Sequence, residues 1–237
     1  MNLLNYRWLN SSASAVFSKG VIVAIWCKIF LVVLVALAFA NPAWAGSQTG
    51  VAWAFFLKDG DGRVKSLEFD ETEHFAAGDL LRIYLQLQEK TYVYLYLYDS
   101  RQDLYLFFPP TPDFYAGTFP AWEKYFIPSG RGWFTLDKGT GKERFYLLAS
   151  NHRLPGLEGL TEQFLMDRED REAQDRLLAE ITRQVTTLEQ PVGLEQNRWP
   201  VAYSTSLTGG IEQLPDSFAN LTRATNDFSL TLELVNP

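Results

Sequence analysis

The chain has 237 residues, with 21 Lys and Arg against 28 Asp and Glu for a formal charge of −7, and 15% of it is aromatic. Residues 1–45 hold three of the basic groups, Arg7, Lys19 and Lys28, and no acid, which leaves residues 46–237 with 18 basic against 28 acidic groups, net −10. That acidic stretch is long enough to bury one real core, and its charge excludes unaided nucleic-acid binding, which needs clustered Lys and Arg to displace counterions.

Gly20–Ala45 is almost wholly apolar, interrupted by Lys28, and is densest over Ile29–Ala40. Twelve apolar residues rise only about 18 Å as helix, short of the roughly 30 Å hydrocarbon core. Asn41-Pro42-Ala43-Trp44-Ala45 then supplies a helix breaker and Ala-x-Ala. Residues 1–45 read as a secretory signal peptide cleaved after Ala45, which makes the product periplasmic or extracellular. The alternative is an uncleaved anchor with Lys28 snorkelling, and only then would the chain touch a membrane. The sole cysteine, Cys27, lies here behind bulky Trp26, which is no lipobox. The mature chain therefore has no disulfide, thiolate metal site or cysteine nucleophile.

Val51–Leu57 and Arg63–Phe69 form a candidate hairpin around Lys58-Asp59-Gly60-Asp61-Gly62. An EF-hand starting at Asp59 would need an oxygen ligand at its fifth position and glycine at its sixth; Arg63 and Val64 stand there. Leu80–Gln88 alternates with period two, a half-buried strand. In Thr91–Tyr98, Tyr92, Tyr94, Tyr96 and Tyr98 share one face and Val93, Leu95 and Leu97 the other, which predicts a central strand. The tyrosine row could stack on a sugar or peptide, but burial of the rings with hydroxyls at the core edge is the favoured reading. Asp99–Asp103 turns the chain into Leu104–Phe108, and Pro109-Pro110 ends that strand.

Residues 109–132 form a long loop rich in proline, glycine and aromatics. Its Phe114, Tyr115, Phe119, Trp122, Tyr125 and Phe126 are expected to cover a face or edge of the sheet. The first five are the candidate ligand- or partner-binding residues. Trp133–Asp137 and Arg144–Ala149 are further strands, and Gly141-Lys142 is no P-loop because Glu143 replaces the Ser/Thr that would hold magnesium.

Beyond Ser150 the period changes. Pro155–Met166 reads as a short helix and Glu169–Leu188 as a longer one, with Leu177, Ile181, Val185 and Leu188 on one stripe. Asp167, Glu169, Asp170, Glu172 and Asp175 interleave with Arg168, Arg171 and Arg176, so a salt-bridged exposed face is expected rather than a metal cluster. Strands return at Trp199–Ser206 and Asp227–Val235, the latter with Phe228, Leu230, Leu232 and Leu234 on one face. The expectation is a mainly β, antiparallel sandwich-like domain over 46–237, with a helical segment at about 155–190 packed on it and C-terminal strands over 199–235, α+β overall.

The motifs carry a resemblance. Ala77-Gly78-Asp79, Tyr92-Val93-Tyr94-Leu95 leading to Asp99-Ser100, Phe107-Phe108-Pro109, Ala116-Gly117, Tyr125-Phe126-Ile127-Pro128, Phe134-Thr135-Leu136-Asp137, Gly141-Lys142-Glu143-Arg144 and Leu148-Ala149-Ser150 follow in order. Together they make residues from about 51 to 152 similar to the bacterial domain-of-unknown-function 4384 family. The chain departs at Arg101-Gln102, where the family often has glycine, and at Lys142, where threonine is usual. The resemblance implies an exported module, sometimes attached to kinase-like or caspase-like partners, without established catalytic residues.

The functional expectation is a non-catalytic exported binding module, with an envelope protein or glycan as partner and no cofactor or metal. The alternatives are an envelope structural subunit and a hydrolase using carboxylates. A serine triad would need His74 or His152, the two histidines, and neither adjoins a nucleophile-elbow pattern.

Overall fold

The computed structural model describes residues 48–67, 73–88, 90–117, 121–137, 141–188, 195–201 and 218–236. The leader expected over 1–45 and Phe119 lie outside the described residues. Twelve strands are described: β1 (Thr49–Lys58), β2 (Val64–Ser66), β3 (Glu73–His74), β4 (Leu80–Gln88), β5 (Tyr92–Tyr98), β6 (Leu104–Phe108), β7 (Lys124–Ile127), β8 (Phe134–Thr135), β9 (Gly141–Ser150), β10 (Glu195–Pro200), β11 (Phe218–Ala224) and β12 (Phe228–Asn236). Two helices, α1 (Pro155–Met166) and α2 (Arg171–Leu188), lie between β9 and β10 in the chain.

The strands form two sheets. One runs β10-β11-β1-β4-β7, with β2 also on β1 and β8 on β4; the other runs β3-β12-β9-β5-β6. All pairings are antiparallel except β12 with β3. Period two decides which side chains meet. Val51, Trp53, Phe55 and Leu57 of β1, with Leu81, Ile83, Leu85 and Leu87 of β4, share one buried core with Val93 and Leu95 of β5 and Phe145 and Leu147 of β9. Phe55 meets Phe145 across the sheets at 4.9 Å between ring centroids. This is the expected sandwich-like, mainly β architecture.

The helices cover the opposite face of the five-stranded sheet, where the tyrosine row points. Tyr94 is buried with its hydroxyl donating to Glu158 of α1 at 2.6 Å and accepting from the Leu154 amide at 3.1 Å. Tyr96 is buried with its hydroxyl 2.8 Å from that of Thr161. Tyr94 and Tyr96 are thus structural, their hydroxyls bonded to α1 side chains and to the Leu154 amide. α2 seats Leu177 and Ile181 in the core with Val185 and Leu188 packed beside them, the stripe read from the sequence. Asp170 caps α2 by accepting from the Glu172 and Ala173 amides. Of the interleaved charges, Arg176 pairs with Glu172 as expected, whereas Arg171 reaches Asp103 in the β5–β6 turn.

Three details differ from the sequence reading. The 109–132 loop contains β7, which pairs with β4 from Ile127↔Ile83 to Lys124↔Gln86. The strand expected at Trp199–Ser206 sits earlier, as β10, and residues 202–210 lie outside the described residues. β11 was not expected at all: it buries Ala219 and Leu221 on one face and Ala224 on the other, mostly small side chains that show no clear apolar alternation. Among the described residues no helix is long and apolar enough to cross a membrane.

Candidate functional site

The loop aromatics fall into two groups. Tyr115, in a 3₁₀ turn at Phe114–Ala116, is buried at 5% exposure. Its hydroxyl accepts the Val93 amide at 2.8 Å and donates to the Val93 carbonyl at 2.7 Å. Phe114 and Tyr125 are half-buried and pack on Phe108 at 5.3 and 4.9 Å. These three belong to the core margin. Trp122, by contrast, is 48% exposed in a left-handed backbone conformation at φ 65°, pinned by its amide to the Leu87 carbonyl and by Gln86 to its own carbonyl.

A different place has the form of a binding site. Where β5 turns into β6 and β8 leads toward β9, the two sheets leave a cleft of about 260 Å³. Phe75, Leu81 and Phe145 form its buried floor, and Leu97, Tyr105, Phe107, Phe134 and Leu136 its half-buried walls. Phe107 and Phe134 stack on each other in its wall, centroids 5.0 Å apart and planes 8° from parallel. Thr135, Asp99, Arg101, Asp137 and Glu143 complete the lining.

The polar groups are held by local turn chemistry. Asp99 closes the β5–β6 turn, its Oδ1 accepting the Arg101 and Asp103 amides at 2.9 and 2.8 Å. Arg101 lies across the mouth, 3.2 Å from Asp99 and 3.3 Å from Asp137. Glu143, 9% exposed, accepts from the Ser100 hydroxyl at 3.1 Å. Burial, aided by the charges of Asp99 and Asp137 and opposed by hydrogen bonds from Ser100, holds its carboxyl above the usual carboxylate range. Gly141 lets the β9 start approach the turn: a Cβ there would lie 2.7 Å from that of Ser100. The neighbouring cations point elsewhere, since Lys142 and Arg144 on the other face of β9 both pair with Glu233.

Ser150, His152 and Asp227 also meet, and their geometry is that of a latch. Ser150 Oγ lies 3.2 Å from His152 Nδ1 and 2.9 Å from Asp227 Oδ2, while the same Nδ1 lies 3.3 Å from Asp227 Oδ2. A proton relay needs opposite ring nitrogens facing nucleophile and acid. Here one nitrogen faces both, and Ser150 is fully buried. Asp227 also accepts the Asn151 amide at 2.8 Å, so the group ties the end of β9 to the start of β12. Asp59, the calcium candidate, accepts the Asp61 and Arg63 amides within its own turn. No cluster of three or more His, Cys, Asp or Glu able to hold a metal occurs among the described residues.

Sequence reasoning missed the cleft. Its signal was present in the motifs, since Asp99-Ser100, Phe107, Phe134–Asp137 and Glu143 were each noted singly as turn or strand formers. Residues 74–153 match the model of the family described as Domain of unknown function (DUF4384). Every residue lining the cleft falls within it, whereas β1, which the resemblance over 51–152 had included, lies outside. No curated protein and no solved structure matches the chain.

Proposed function

We propose that the chain is an exported, non-catalytic binding module built on a DUF4384 domain, with the cleft between the β5–β6 turn and β8 as its recognition site. One observation carries the reading: a preformed, aromatic-walled concavity with a few convergent charged groups, the usual form of a binding pocket. Carboxylate-based hydrolysis is the weaker reading. It needs a second carboxylate opposite Glu143 to act as nucleophile or base, and Asp99 is engaged by two amides and Arg101, while Asp137 is paired with Arg101. Export rests on the leader sequence of residues 1–45, with cleavage after Ala45. Trp122, exposed and rigidly held, is a second contact point for the same partner.

Affinity recovery of the tagged protein from the envelope of cells that make it tests the proposal. Thr135→Trp places an indole in the cleft mouth from an exposed position. The variant should keep the wild-type melting temperature and lose the partner that the wild type retains, and the recovered chain should begin at Gly46. Identical partner sets for both proteins would remove the cleft from the proposal, and an intact Met1 would remove leader cleavage.

A further inference from the structure

Among the described residues lining the cleft, acidic groups outnumber basic ones. Asp99, Asp137 and Glu143 face it with Arg101 as the one cation among its described lining residues, and Arg101 is shared between the first two. Glu143 is nine-tenths buried, two residues from Phe145 on β9 and close to Asp99 and Asp137, with Ser100 as its hydrogen-bonding partner and no ion pair among the described residues. A carboxylate in that position is costly to ionise unless a cation joins it. Leu97 and the stacked Phe107–Phe134 pair line the same cleft with apolar surface, which suits a methylene stem. The volume of about 260 Å³ lies below the roughly 300–1,000 Å³ of sites for drug-sized ligands, and is right for one long side chain.

Resting on the binding function proposed above, we infer that the cleft receives a single basic side chain, lysine or arginine, projecting from a partner protein. Its stem lies against Leu97 and the stacked Phe107–Phe134 pair, and its ammonium or guanidinium donates to Glu143. Arg101 sets the selectivity at the mouth: already bridged to Asp99 and Asp137, it leaves the lining net negative, so acidic side chains are refused.

The test titrates the full-length protein, observed by amide NMR, with four probes: Nα-acetyl-lysine methylamide, its norleucine and glutamate counterparts, and n-butylamine. The lysine probe should shift amides of the β5–β6 turn, β8 and the start of β9, and bind about tenfold or more tighter than norleucine, because a charge-assisted hydrogen bond is the difference between them. Glu143→Gln, whose amide oxygen still accepts from Ser100, should bring the lysine probe down to the norleucine level. Equal binding of lysine and norleucine, tighter binding of the glutamate probe, or an unchanged lysine affinity in Glu143→Gln would each overturn the inference. Tighter binding of n-butylamine than of the lysine probe would transfer the site to free amines and overturn the protein source. Should no probe bind while Thr135→Trp still abolishes partner recovery, the ligand class fails and the binding function stands; should Thr135→Trp retain the partner, the function itself fails.

Discussion

Tyr115→Phe removes one oxygen atom, and the structure assigns it a large effect. β6 pairs with β5 only from Leu95 to Tyr98, because Phe108 is the last residue before Pro109 leads the chain away. Val93 is fully buried and points its amide and carbonyl toward the edge that β6 has vacated, and the Tyr115 hydroxyl satisfies both, at 2.8 and 2.7 Å. One side-chain oxygen therefore stands in for a missing strand. A buried backbone group left without a partner costs roughly 1–3 kcal/mol, so the pair together costs about 2–4 kcal/mol, allowing for partial relaxation. At roughly 2–4 °C per kcal/mol for a domain of this size, the melting temperature should fall by about 4–16 °C. Thermal unfolding followed by circular dichroism measures it, with Tyr125→Phe as the control, since that hydroxyl bonds to exposed Glu123 and its loss should cost less than about 0.5 kcal/mol. Equal melting temperatures for the two variants would refute the role assigned to the Tyr115 hydroxyl.

Two further substitutions probe the cleft's framework. Gly141→Ala should destabilise by about 1–3 kcal/mol, because the residue has φ 145° and the added methyl meets Ser100 at 2.7 Å; a urea midpoint within error of wild type would contradict this. Glu143→Gln should gain on wild type as pH rises. The Glu143 carboxyl is held up mainly by burial, so the folded chain binds that proton more tightly than the unfolded one. Its contribution to stability is fully present below the unfolded value of about 4.3 and is lost as pH climbs through the raised folded value. Unfolding midpoints of the two proteins should therefore converge near pH 4 and separate at pH 7 in favour of the glutamine, and a pH-independent difference would show that the carboxylate is not penalised.

The strands that could be read in advance are those whose alternation is carried by large side chains. β4 and β5 announced themselves through Leu, Ile and Tyr, and the two apolar faces of β5 correctly implied a strand with neighbours on both edges and layers on both sides. β7 and β11 escaped because one lies among prolines and the other buries alanines, so their strand character comes from the neighbours they pair with rather than from their own pattern. The aromatic loop was expected to cover a face or edge of the sheet, because its rings would be costly to leave in water. Phe114 and Tyr115 do fill the edge beside β5, and the exposed one among the described loop aromatics is Trp122. The cleft was invisible for a different reason. Its lining comes from segments around residues 75–81, 97–107, 134–137 and 143–145, each of which reads alone as an ordinary turn or strand end. Only sheet pairing brings Asp99, Asp137 and Glu143 to one place.

That same pairing limits what the DUF4384 stretch can do by itself. Within residues 74–153, β4 finds only the short strands β7 and β8 as partners, and its long neighbour β1 is outside. β1 pairs with β4 over nine residues, from Gly50↔Gln88 to Lys58↔Leu80, and sends Val51, Trp53, Phe55 and Leu57 into the shared core. β12 pairs with β9 over nine residues as well, and α1 supplies the acceptor for Tyr94. A fragment of residues 74–153 alone would expose the inner face of β4, the free edge of β9 and the tyrosine row at once, a combination of apolar surface and unpaired strand edge that favours aggregation over folding. It should show no dispersed amide spectrum and no cooperative unfolding, whereas a chain of residues 46–237 should show both. A cooperatively folded 74–153 fragment would mean that the family stretch is a complete domain and that β1, β12 and the helices are accessories, which the burial of Phe55 against Phe145 argues against.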